Sequence, residues 1–198
     1  MRTTIISGLV AIACLLAACA SGGKPVHYYT IEPAAPAPTQ SNPDGPVIAV
    51  ANIATPVALQ DGRIRYRPGA NEVGAYEYHR WVASPGMMVR DALVRELRAT
   101  GKYQRVLESS SMAASDYLLR GRLYEFAEAD TPAIQTRISL HLELLDRKTN
   151  RHLWDRVFDG QDPVSGKTVK DVVQSMDRNL HQVVRQAVGE VDGILAKR

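Results

Sequence analysis

The sequence predicts an α/β fold with α+β-like layering, in which a mixed β-sheet carries two main helices packed on one face. Three observations lead to this prediction. Residues 134–144 alternate between apolar and polar side chains, which is the period of a half-buried strand. Residues 168–195 repeat apolar side chains at steps of three and four, which is the period of an amphipathic helix. Strands and helices follow one another in the order β-β-β-β-α-β-β-β-β-α, so one sheet can bury both helical stripes.

The first 18 residues predict a signal peptide. Arg2 precedes an apolar segment that is too short to span a bilayer, and the segment ends in Leu16-Ala17-Ala18 before Cys19. This layout resembles the lipobox of bacterial lipoproteins. The resemblance implies that the signal peptidase recognises Leu16, Ala17 and Ala18 and cleaves before Cys19. The thiol of Cys19 would then carry an S-diacylglycerol group and its amine an acyl chain such as palmitate. The alternative is ordinary secretion, with Cys19 as a leftover thiol.

Residue 20 bears on localisation. It is alanine rather than aspartate, and by resemblance to enterobacterial sorting the chain has no signal for retention in the inner membrane. The sequence therefore predicts a lipid-anchored protein of the outer membrane that faces the periplasm. A single acyl chain binds membranes only marginally, whereas three would make the attachment effectively permanent.

Composition limits the classes of domain and partner. Apolar residues make up 45% of the chain, which suits a globular protein, and we predict a lipidated tether at 19–26 followed by a single domain at 27–198. The net charge is +3 and no arginine-rich run occurs, so nucleic acid is not a predicted partner. The two cysteines are Cys14 and Cys19, so the mature domain is predicted to have no disulfide.

The first half of the domain is predicted to hold four strands, a proline-rich loop and a helix. The helix begins with Ser84 as N-cap and Pro85 at its first position, and it ends at Gly101. A turn at 68–71 joins two arms of a hairpin. β-Branched, aromatic and continuous apolar composition predicts the strands at 27–31, 47–53, 64–67 and 75–81.

The second half is predicted to hold four more strands and a long helix. Asn150 is expected in a left-handed turn conformation, and the segment from Gly160 to Gly166 is expected to be a loop. Thr168 and Asp171 predict a capping arrangement at the start of the last helix. The apolar stripe of this helix has two interpretations, as core against the sheet or as a docking surface for another subunit. The strands are predicted at 103–107, 116–127, 134–144 and 152–158.

One aromatic segment is a candidate partner surface. Tyr76, Tyr78, Arg80 and Trp81 lie close together in the sequence, and tyrosine, tryptophan and arginine dominate interface hot spots. The alternative is strand packing with amphipathic residues at the sheet edge. No Gly-x-Ser-x-Gly or phosphate-loop motif occurs, and the histidines do not have metal-ligand spacing. The sequence therefore predicts no catalytic residue, no metal and no cofactor other than the covalent lipid on Cys19.

Several segments in order resemble the ABC-type transport auxiliary lipoproteins, the family that includes the paraquat-inducible protein C-like outer-membrane lipoproteins. The carriers of this resemblance are the lipobox at Cys19, Tyr28-Tyr29-Thr30-Ile31, the apolar strand before Pro56, Tyr78-His79-Arg80-Trp81 with Ser84-Pro85, Gly101-Lys102-Tyr103, and Asp116-Tyr117-Leu118-Leu119-Arg120-Gly121. The resemblance implies a non-enzymatic accessory subunit. Its partners would be a periplasmic protein with mammalian-cell-entry domains and the ABC transporter of that protein. Together they would move lipids or hydrophobic compounds between the inner and outer membranes.

Two other functions stay open at this stage. The segment from Ile138 to Phe158 also resembles periplasmic lipoproteins related to the TolB amino-terminal domain and to curli secretion, which implies a structural or secretion-associated protein. A protein of this class could form a homo-oligomer, and so could a transport auxiliary lipoprotein. The second alternative is an enzyme that acts on the cell envelope, which would need a cleft with carboxylates or a histidine of perturbed pKa.

Overall fold

The computed structural model describes residues 24–31, 40–108, 115–130 and 132–197. Leu16, Ala17, Ala18 and Cys19 lie outside these described residues. In the described residues the predicted order of eight strands and two helices is confirmed, with a short 3-10 helix at Val57–Leu59. The strands are β1 His27–Tyr29, β2 Val47–Val50, β3 Arg63–Gly69, β4 Glu72–Trp81, β5 Arg105–Glu108, β6 Tyr117–Ala129, β7 Gln135–Asp146 and β8 Arg151–Pro163; the helices are α1 Pro85–Ala99 and α2 Val169–Leu195.

The long strand β6 is the centre of the mixed sheet. One of its edges pairs antiparallel with β7, which in turn pairs antiparallel with β8. Its other edge is shared, because β2 pairs parallel with the first part of β6 and β3 pairs parallel with the last part. The sheet therefore divides into two wings beyond β6. One wing is β2 with β5, and the other is β3 with β4 and β1.

Both helices lie on the same face of this sheet and contact each other, as predicted. Helix α1 packs mainly on β2, β5 and β6, whereas α2 packs on β7 and β8. The apolar stripe of α2 is core, since Met176, Leu180 and Ala187 are fully buried. The wing of β3, β4 and β1 reaches beyond the main contacts of both helices.

The helix ends follow the sequence signals. Gly101 has a φ of 66° after the end of α1, and Asn150 has a φ of 51° in the turn before β8. Ser84 occupies the N-cap of α1 but makes no side-chain capping bond. Thr168 and Asp171 form a complete capping box, in which the Thr168 amide donates to Asp171 at 2.9 Å and the Asp171 amide donates to Thr168 at 3.3 Å.

The carboxyl end of α2 is held by one buried carboxylate. Asp192 is 7% exposed, and it accepts hydrogen bonds from the Tyr103 hydroxyl at 2.6 Å and from the Lys102 ammonium at 2.7 Å. Burial, with the hydrogen bond to Asp192 and its charge, raises the pKa of Tyr103. Because Lys102 and Tyr103 follow the end of α1 directly, this contact joins the two helices.

The predicted loop at Gly160–Gly166 is wrong for its first residues. Strand β8 continues to Pro163, and Gly160 lies opposite Ile138 in β7. Gly160 suits a strand here because Asn179 and Val183 of α2 lie directly over its α-carbon, where a Cβ would overlap them. Its position in the strand therefore depends on the approach of α2, which local composition does not show.

Candidate functional site

The structure separates the four residues of the predicted partner surface. Trp81 is only 3% exposed and packs edge-on against Phe126, with ring centroids 5.6 Å apart. The prediction that Trp81 lies on a partner surface is therefore wrong, because it belongs to the core. Tyr76 lies half-buried against Glu128, whereas Tyr78 and Arg80 lie on the other face of the wing.

A bulge in β4 causes this separation. Arg63 pairs with Arg80 and Arg65 pairs with Ala75, so residues 76–79 of β4 stand opposite Ile64 alone. Extra residues on one strand shift the alternation of side chains between the two faces. Tyr76 and Tyr78 therefore point to different faces, although a regular strand would place them on the same one.

The helix-side face of the wing carries a cluster of rings, which we call the aromatic cluster: His27, Tyr29, Tyr66, Tyr76 and His79. Tyr66 and Tyr76 have ring centroids 5.0 Å apart, and His79 lies within 5.8 Å of the rings of Tyr76, Tyr29 and His27. The Tyr29 hydroxyl lies 2.9 Å from Nδ1 of His79. The ring of Tyr66 lies against Gly74, where a Cβ would overlap it. This packing leaves the tyrosines half-buried at a part of the sheet beyond the helices.

A buried carboxylate supports the cluster from β6. Glu128 is 6% exposed and accepts a hydrogen bond from the Tyr76 hydroxyl at 2.7 Å. Burial raises the pKa of Glu128 above its usual 4.5, and the nearby charge of Asp130 adds to this effect against the opposing Tyr76 hydrogen bond. Burial and the charge of Glu128 also raise the pKa of Tyr76. Burial and His27 lower the pKa of His79 below its usual 6.5, which favours the neutral imidazole.

Glu128 gives a pH-dependent prediction. A carboxyl whose pKa is raised in the folded state contributes its full stabilisation of the fold below its unfolded pKa of 4.5. This stabilisation is lost as the pH rises through the pKa of the folded state. Glu128→Gln keeps an acceptor for Tyr76 but has no charge. We expect this variant to unfold at a higher urea concentration than the wild type at pH 7–8. The difference should vanish near pH 4.

The control for this prediction is Glu72→Gln, because Glu72 is exposed at the start of β4. It should follow the wild type at each pH in urea titrations monitored by circular dichroism. A Glu128→Gln variant less stable than the wild type at pH 8 would show that the charged carboxylate stabilises the fold.

A comparison with family models identifies the chain. The model described as the ABC-type transport auxiliary lipoprotein component matches residues 29–188. The chain belongs to this family. The match runs from β1 into α2 and includes every strand of the sheet except the first two residues of β1. The family is an auxiliary component of transport and is not a known enzyme family.

Solved structures share the fold of this auxiliary lipoprotein. A Xanthomonas campestris protein of the DUF330 family model is 23% identical, with a TM-score of 0.72, and covers 84% of this chain and 93% of its own. An uncharacterised protein is 16% identical, with a TM-score of 0.68 and coverage of 85% and 99%. A hypothetical protein from Chlamydia trachomatis is 9% identical, with a TM-score of 0.54 and coverage of 78% and 99%. None of the curated proteins matches the sequence.

Two cavities in the described part of the auxiliary lipoprotein lie away from the aromatic cluster. One of about 290 Å³ lies between the end of α1 and β5 and is lined by Leu97, Tyr103 and Val106 among others. Another of about 380 Å³ is lined in part by Asp116 and Lys148, whose ion pair is 2.7 Å long. Within the described ranges no group of three histidine, cysteine, aspartate or glutamate side chains could hold a metal ion. No helix in the described part of the chain is long and apolar enough to cross a membrane.

Four of the five members of the aromatic cluster were not predicted as partner residues from the sequence. Tyr76 is the exception, and Glu128, which supports the cluster, gave no signal of its own because it follows a run of strand residues. The cluster forms through the parallel pairing of β1 with β4 and of β3 with β6. These pairings join residues about fifty to sixty positions apart, which a local pattern does not reveal.

Proposed function

We propose that this chain is a non-enzymatic, lipid-anchored accessory subunit of an ABC transport system that works with a mammalian-cell-entry protein. In this role it helps move lipids or other hydrophobic compounds between the inner and outer membranes. The family match over residues 29–188 is the observation that carries the proposal. Signal-peptidase recognition at Leu16, Ala17 and Ala18 and lipid attachment at Cys19 supply the anchor, with the domain in the periplasm at the outer membrane.

The aromatic cluster is the proposed contact for the mammalian-cell-entry protein. Tyr29, Tyr66 and Tyr76 are half-buried on a wing that extends past the main helix contacts. Their rings are fixed by contacts with neighbouring rings and by hydrogen bonds to His79 and Glu128. Rigid tyrosines give large contact area at low entropic cost, which suits a docking surface.

Photo-crosslinking in intact cells tests this proposal. A photoreactive phenylalanine analogue at Tyr66 is expected to capture a mammalian-cell-entry subunit. The same analogue at Gln182, which is exposed on α2, serves as the control and is expected to capture none. Cys19→Ala in the Tyr66 background should weaken the crosslink, since the chain would no longer be held at the membrane.

The other outcomes have distinct meanings. Capture of only a second copy of the chain would favour a self-assembling structural or secretion-associated lipoprotein. Equal capture at Tyr66 and Gln182 would remove the aromatic cluster as the docking surface and leave the family assignment intact.

A further inference from the structure

The helix-free face of the sheet, opposite to the aromatic cluster, carries a surplus of positive charge around β1, β4, β3 and β6. We call this surface the basic face. Tyr28, Arg80 and Arg63 lie side by side on it across three strands, since Tyr28 pairs with Arg80 and Arg80 pairs with Arg63. Its members are Lys24, Arg63, Arg65, Arg67, Arg80 and Arg122, together with Tyr28, Tyr78 and Tyr124.

The nearby carboxylates do not balance these cations. Asp61 serves two arginines, with contacts of 2.6 Å to Arg65 and 3.7 Å to Arg63. Glu125 pairs with Arg67 at 3.0 Å. Glu77 lies beside the Tyr78 hydroxyl rather than beside a cation of this face. Three carboxylates thus stand against six basic side chains.

Three of the cations have no carboxylate partner in the described part of the chain. Lys24 lies over the ring of Tyr78, 5.6 Å from its centroid. Arg80 donates to the backbone carbonyl of Asp61 at 3.5 Å. Arg122 is exposed in the middle of β6. Their guanidinium and ammonium groups are therefore available to an anionic ligand.

The shape and composition of the basic face indicate the kind of ligand. Its residues come from four neighbouring strands spaced about 4.8 Å apart, so the charge is spread over a pleated surface rather than gathered in a cleft. Tyr28 is 63% exposed and Tyr124 is 53% exposed on this side. Basic residues mixed with exposed tyrosines are typical of surfaces that meet lipid headgroups.

The direction of β1 places this face near the membrane. Strand β1 runs parallel to β4. Lys24 precedes β1 and lies against Tyr78 of β4. Cys19 precedes Lys24 by only five residues, which span about 17 Å when fully extended. A lipid on Cys19 would therefore hold the basic face close to the bilayer surface.

We propose that the basic face rests on an anionic phospholipid surface next to the lipid anchor. This inference rests on the anchoring in the proposed function and adds an orientation to it. The sheet face lies on the headgroups, and the aromatic cluster is left on the opposite face of the same wing for a protein partner. Each basic side chain near an anionic surface contributes about fivefold to binding, and the effect is screened by salt.

Thiol labelling of the lipid-anchored protein on vesicles tests the orientation. Cys14 leaves with the signal peptide and Cys19 is acylated, so Tyr28→Cys would carry the single free thiol. Met87→Cys is the matched control, because Met87 is 48% exposed and lies on α1, which packs on the opposite face of the sheet. A membrane-impermeant maleimide reports the accessibility of each thiol.

We expect labelling at Tyr28→Cys to be at least fivefold slower on vesicles of phosphatidylethanolamine and phosphatidylglycerol than on phosphatidylcholine. High salt, or the added changes Arg80→Glu and Arg122→Glu, should restore the rate. Labelling at Met87→Cys should be the same on both vesicles. Equal rates at Tyr28→Cys on the two vesicles would overturn the proposal and leave the basic face to an acidic protein.

Flotation of the same samples reports separately on the anchor. A chain that does not float with either vesicle would contradict lipidation at Cys19 and thus the anchoring in the proposed function. The basic face would then be tested by attaching the protein to nickel-chelating lipid through an amino-terminal His tag and repeating the same thiol labelling. The same fivefold difference is expected there, and its absence would again overturn the proposal.

Discussion

Replacing Trp81 by alanine is expected to lower the free energy of unfolding by about 3–5 kcal/mol, the range for removal of a buried tryptophan. Trp81 is 3% exposed, and its ring packs edge-on against Phe126 in the core between β4 and β6. The truncation leaves a cavity at the junction where the wing of β3, β4 and β1 meets the centre of the sheet. Urea unfolding with an unchanged m-value would measure this loss.

Trp154→Ala is the matched control for this prediction. Trp154 is half-buried on β8 and packs on Phe158 with ring centroids 5.9 Å apart. Trp154→Ala should lower the free energy of unfolding by less, about 1–3 kcal/mol, since a half-buried ring loses less apolar contact surface. A loss below about 1 kcal/mol for Trp81→Ala would show that this side chain lies at the surface and would make it a candidate partner residue again.

Gly160→Ala is the second large effect that we expect, with a loss of about 2–3 kcal/mol. A Cβ on Gly160 would overlap the side-chain oxygen of Asn179 and a methyl group of Val183. Both belong to α2, so the helix would have to move away from β8. This movement would also strain the buried bonds from Asn179 to Thr136, at 3.1 and 3.2 Å.

Two further variants make the test specific. Gly189→Ala in α2 has no atom within 4 Å of the new methyl group, so it should stabilise the protein by about 0.5–1 kcal/mol through helix propensity. Asn179→Ala should relieve part of the loss when combined with Gly160→Ala, which a double-mutant cycle would detect. Strict additivity of the two substitutions would contradict the contact between them.

Local sequence patterns predicted the strands and helices well because most signals here are local. Each of these signals acts over a short stretch of sequence. They are the alternation in β7, the apolar stripe of α2, the capping box at Thr168 and the glycine at 101. The error at Gly160 has a different origin. Glycine, aspartate and proline favour turns locally, but the pairing with β7 and the approach of α2 hold this segment in the sheet.

The functional surfaces were harder to predict because they depend on register. The bulge in β4 decides which face each of Tyr76, Tyr78 and Trp81 occupies, and it is visible only in the pairing with β3. The basic face gave no signal as a charge run. Its arginines alternate with other residues along each strand, so they do not form a run. They also belong to strands that are distant in the sequence, such as Arg65 in β3 and Arg122 in β6.

The parallel pairing of β2 has a consequence for how the chain folds as it emerges amino end first. The apolar strand Val47–Val50 is almost fully buried, yet its described partners β5 and β6 are both made later. By contrast, β6, β7, β8 and α2 are consecutive and can assemble through short-range contacts. We expect the carboxyl-terminal half to nucleate folding, while the exposed β2 segment is at risk of aggregation until β6 arrives and is a natural client for a holding chaperone.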